Sequence, residues 1–116
     1  MKTLSYLTAL LIAFTATTNG KKKDDNTPKA WKRQCVACHG KDGKGNTPTG
    51  KALSIRNLTS KEFSEIKTRE SIKTQIRNGS SDENGLIRMI AYKDILKEEE
   101  VDALVEFIIN LPQGEE

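Results

Sequence analysis

In 116 residues the chain has one histidine, two cysteines, one tryptophan and three prolines, and aromatics make up only 5% of it. Each shortage excludes something. With His39 the sole imidazole, no second histidine is present to share a metal with it. A structural zinc site needs four ligands, and Cys35, Cys38 and His39 supply three with no second cluster. No stretch alternates apolar and polar residues as a half-buried strand would, so the β/α setting of a thioredoxin-type C-x-x-C is missing. The turn-rich stretch Gly40 to Gly50 lacks the preceding strand and the closing lysine-serine or lysine-threonine pair of a phosphate loop. No paired carboxylates or nucleophile–base arrangement stands out for general catalysis.

Long apolar runs are equally scarce. The N-terminal run Leu4 to Ala16 is about 13 residues, short of the roughly 20 that span a bilayer. Lys2 precedes it and small polar residues follow, which is the anatomy of a secretory signal over residues 1–20, cut somewhere between Ala16 and Gly20. No cysteine lies near that point to carry a lipid. Residues 21–27 read as a charged flexible tether, and two aspartates beside three lysines argue against a nucleic-acid or acidic-lipid contact. The remaining roughly 95 residues are apolar only to the extent of 35% across the chain. A domain of that size is marginal unless something adds to its core.

What is present is mostly helical. Thr27-Pro28 gives an N-cap followed by proline at the first helical position, opening a helix over Pro28 to about Ala37. Thr59-Ser60-Lys61-Glu62 has capping-box spacing before a short helix. Another begins near Thr68 and stops at Asn78-Gly79. The clearest is the last: Val101, Leu104, Val105 and Ile108 follow a helical stripe, and Glu98-Glu99-Glu100 sit in its first turn where carboxylates favour the dipole. Residues 80–96 show no convincing periodicity.

The chemistry is concentrated in Cys35-Val36-Ala37-Cys38-His39. A C-x-x-C-H run is a c-type haem attachment site. The two thiols become thioethers to the macrocycle, and the adjacent imidazole is left to coordinate iron. A Cys35–Cys38 disulfide would explain the pair but leave His39 unexplained. Attachment after export also accounts for two neighbouring thiols in a compartment where disulfides persist, and one covalent haem c supplies the apolar volume the chain lacks. The second axial position cannot go to another histidine. Met89, the only methionine beyond the N-terminal signal, is the expected ligand, a soft neutral thioether that favours ferrous iron.

On these residues the chain resembles the class I c-type cytochromes, especially the small bacterial monohaem type. The resemblance rests on Cys35 to Gly45 (CVACHGKDGKG), Asn46 to Leu53, Ile76-Arg77-Asn78-Gly79, and Met89 to Ile108. It implies an all-α cytochrome c fold over residues 28–112, about four short helices and long loops around the haem, with residues 113–116 an acidic tail. It implies that the first helix crosses the last, with Trp31 near Val105 and Phe107. It also implies that the Pro48 carbonyl accepts a hydrogen bond from His39 Nδ1–H, a support that fixes the imidazole. The expected function is that of a periplasmic, monomeric, non-enzymatic one-electron carrier serving redox partner proteins, with no nucleic acid and no membrane span. The other reading is an open-site haem protein, a gas sensor or small redox component, in which Met89 does not ligate. One residue departs from the family pattern: Ile90 stands where proline usually follows the methionine. Lys41, Lys44, Lys51, Arg88 and Lys93 flank the expected haem loops, whereas residues 98–116 carry only acidic charges, so the molecule is expected to be dipolar.

Overall fold

The computed structural model describes residues 25–114 together with Ala13 and Thr15. The signal segment otherwise lies outside the described residues, as do Lys21–Asp24 of the tether and the two terminal glutamates. Where the description resumes, Asp25 is already engaged: its carboxylate accepts from Thr27 N–H at 3.2 Å and pairs with Lys32 Nζ at 2.5 Å. The Lys32 ammonium, helped by Thr27, pulls the Asp25 carboxyl down to about 2.

The chain enters a helix at Lys29 rather than Pro28, and after Ala30 the five residues Trp31–Cys35 form a π-helical turn before α1, Val36–His39. Val36 N–H donates to Trp31 O across the wider turn. Such one-turn widenings are frequent at functional sites. Here it keeps Trp31 and Cys35 both buried, at 1% and 8% exposure, immediately before the C-x-x-C-H motif closes.

A helix that the turn-rich composition concealed follows: α2, Pro48–Ala52. Thr47 caps it, its Oγ1 accepting from Gly50 N–H at 2.9 Å while donating to Cys38 O at 2.7 Å. One hydroxyl thus starts α2 and ties it to the haem motif. Gly50 is required there, because a Cβ would collide with the Gly45 carbonyl and lie 2.7 Å from Cys38 O.

The next two helices, α3 (Lys61–Ile66) and α4 (Arg69–Asn78), fall where the capping patterns predict. The cap of α3 is shifted by one residue from the expected box: Ser60 Oγ accepts from Phe63 N–H at 3.2 Å. Thr59 is buried instead, bonded to Asn57 Oδ1, and its carbonyl accepts from Gly114 N–H at 3.0 Å. Thr68 caps α4 in a reciprocal pair with Ser71.

The reading of residues 80–96 as strandless is corrected. Ser80–Ser81 (β1) pairs antiparallel with Ile87–Met89 (β2), Ser80 opposite Met89. The turn between them is built by Asp82, whose carboxylate accepts from Asn84 and Leu86 N–H at 2.9 Å each, with Gly85 at φ 80°. Five strand residues are too few for a period of two to register in sequence. The last helix, α5 (Glu98–Ile109), buries Val101, Leu104, Val105 and Ile108, the stripe its sequence presents. Trp31 meets Phe107 with ring centroids 4.9 Å apart, tilted by 56°, a favoured aromatic arrangement. The first helical segment therefore packs on the last as expected.

Candidate haem site

Between these elements lies an apolar cavity of about 670 Å³, bounded by α1, the loop after α2, α3, α4, β2 and α5. That is within the range of sites for small organic groups. Cys35, Cys38 and His39 line it on one side, and Met89, 50 residues later, lines it from β2. Pro48 is not on its wall. Ile66, Ile87 and Ile90 also border it yet remain 58%, 60% and 46% exposed. Branched apolar side chains rimming an open cavity suit a large flat apolar group that covers them.

The electrostatics of the motif fit a ligand-holding role better than a thiol-redox one. Burial, with the neighbouring Cys38, pushes the Cys35 thiol up to about 11, so it stays protonated rather than acting as a reactive thiolate. Burial also lowers the pKa of His39, keeping the imidazole neutral as iron ligation requires. Its Nδ1 is sealed from solvent without a hydrogen-bond partner. The bond to the Pro48 carbonyl is thus not made in this structure; Pro48 serves as the first residue of α2. Trp31 Nε1, its ring 5.8 Å from that of His39, is likewise buried and unpaired. Among the described residues no three His, Cys, Asp or Glu side chains gather as an ion site.

Several contacts around Met89 were not legible in the sequence. Gln75 Nε2 donates to Met89 Sδ at 3.6 Å. Gln75 lies between Ile72 and Ile76, the buried residues of α4, and a polar residue beside that apolar stripe was the available signal. Tyr92, three residues after Met89, donates its hydroxyl to Gln34 O at 3.1 Å, joining the methionine segment to the residue before Cys35. Arg88 donates to the Leu53 carbonyl after α2, so this flanking cation is internally engaged.

Comparison with known proteins bears on the family and the fold. The family described as "Cytochrome C oxidase, cbb3-type, subunit III" matches residues 23–108. Among solved structures, the KustC0563 c-type cytochrome is 31% identical with a TM-score of 0.63, over 72% of this chain and 94% of that one. Cytochrome c6C from Synechococcus sp. PCC 7002 shares the fold, with a TM-score of 0.55 at 20% identity, over 77% of this chain and 96% of that one. No curated protein matches.

Proposed function

The chain belongs to this c-type cytochrome family, and on that footing we propose that it is an exported one-electron carrier holding a single haem c between His39 and Met89. When bound, the haem supplies an iron that alternates between ferrous and ferric by one electron. The chain's own residues do the rest. Cys35 and Cys38 anchor the macrocycle as thioethers, and His39, kept neutral by burial, gives the proximal nitrogen. Met89 gives a neutral sulfur that favours the ferrous state. The apolar wall excludes water, so little needs to reorganise when the charge on iron changes.

The observation that carries this reading is the position of Met89 on the wall of the cavity that Cys35, Cys38 and His39 also line. Export is supported by the signal-like N-terminus and by the attachment motif itself. Among the described residues no helix is long and apolar enough to cross a membrane. Donor and acceptor are redox proteins. Their recognition draws on less of a dipole than the sequence suggests. Glu98, Asp102 and Glu106 of α5 face Lys73, Arg77 and Arg69 of α4, and Glu100 pairs with Arg33.

Met89→Ala tests the reading in the matured protein. The methionine–iron charge-transfer absorption of the oxidised form is expected to vanish, the midpoint potential to fall, and the reduced form to gain carbon monoxide binding at neutral pH. An unchanged absorption and potential would mean that Met89 is not a ligand.

A further inference from the structure

The backbone after Met89 is gripped by the end of α4. Gly79, the residue that ends the helix, has φ 63° and ψ −162°, a region essentially restricted to glycine. It also has no room for a side chain. A Cβ there would collide with the Met89 carbonyl and lie 2.7 Å from Ile90 C and 2.8 Å from Ala91 N. The last carbonyls of a helix lack intrahelical partners, and here the methionine segment supplies them. Tyr92 N–H donates to Ile76 O at 3.0 Å and Lys93 N–H to Arg77 O at 3.2 Å. Just beyond Gly79, Ser80 pairs with Met89 itself.

We propose that Gly79 is the positioning residue for Met89: its bare backbone lets the C-terminal end of α4 close on Met89–Ala91 and hold the thioether toward the cavity. This rests on the reading of Met89 as the iron ligand. It also gives a physical account of Ile90. A proline after the methionine would stiffen that segment from within; in this chain the stiffness comes from outside, through close contact and two carbonyls. Ile90 can then be an ordinary, half-exposed residue.

The test compares Gly79→Ala, Gly85→Ala and Met89→Ala in the haem-loaded protein. Gly85 also has positive φ, 80°, but an added Cβ there meets nothing within 4 Å, so it carries the backbone strain without the contact. Gly79→Ala is expected to retain haem and far-ultraviolet helical signal. It should lose the methionine–iron absorption at neutral pH, or lose it on alkaline titration about one pH unit earlier, a roughly tenfold shift between ligated and detached populations. Gly85→Ala should behave as wild type. If Met89→Ala abolishes the absorption and Gly79→Ala leaves both band and titration unchanged, the positioning role is wrong and the ligand reading stands. If Met89→Ala itself keeps the band, both fall.

Should Gly79→Ala fail to mature, amide exchange in the wild-type protein decides. Tyr92 and Lys93 amides as slow as that of Gly79, which bonds Gln75 O at 2.8 Å, support the clamp. Exchange as fast as the exposed hairpin amide of Glu83 overturns it.

Discussion

At the scale of single residues, the proposed ligand Met89 has a polar neighbour in Gln75. Its amide reaches Met89 Sδ at 3.6 Å, and a donor there draws electron density from the sulfur lone pairs. A sulfur so polarised stabilises ferric iron less, which raises the potential. Gln75→Leu is therefore expected to keep the methionine–iron absorption and lower the midpoint potential by about 20 mV, the one-electron equivalent of a ~0.5 kcal/mol interaction. Redox titration of the two proteins side by side checks it; an equal or higher potential would remove Gln75 from the tuning. Cys35, Cys38, His39 and Met89 could all be named from the sequence, because a motif and the scarcity of alternatives single them out. Gln75 could not, since its partner lies 14 residues away on a different element and only the fold brings the two together.

At the scale of elements, α5 is set by both its apolar stripe and its first turn. Glu100 Oε2 accepts from Lys97 N–H at 2.9 Å, and Oε1 accepts from Arg33 Nη2 at 3.0 Å. The Lys97 amide first, and Arg33 second, hold the Glu100 carboxyl below its ordinary 4.5. The folded form thus binds this proton less readily than the unfolded one. The stabilisation is complete above pH 4.5 and is lost as pH falls through the lowered value. Glu100→Gln is expected to reduce Tm at neutral pH and to converge with wild type in acid, which paired melting curves across that window would show. A constant difference at every pH would deny the charge a part. The helix itself was legible from its 3.6-residue period. α2 and the β1–β2 pair were not, because five residues carry too little pattern, and their existence depends on Thr47 bonding Cys38 O and on Ser80 meeting Met89.

At the scale of the whole molecule, the haem belongs to the core. Among the described residues, eight of the thirteen buried apolar core residues line the cavity of about 670 Å³. Left empty, its apolar lining and the exposed Ile66, Ile87 and Ile90 at its rim face water, and covering that surface with an apolar group is stabilising. The Cys35→Ser, Cys38→Ser double variant, unable to anchor haem, is expected to lose cooperative melting and to show reduced near-ultraviolet dichroism. A sharp, wild-type-like transition without haem would mean that the chain closes its own core.

By itself the sequence determined the attachment motif, the helical class and the one methionine available beyond the N-terminal segment, because these depend on local order: adjacent thiols and imidazole, a 3.6-residue stripe, a single remaining thioether. Tertiary structure decided how the methionine is held and what surrounds it. It put Gln75 on the sulfur, Gly79 against the Met89 backbone, the acidic face of α5 onto the cations of α4, and left His39 Nδ1 without the Pro48 carbonyl. Those are contacts between segments far apart in the chain, and their distances are set by how helices pack, which no local pattern encodes.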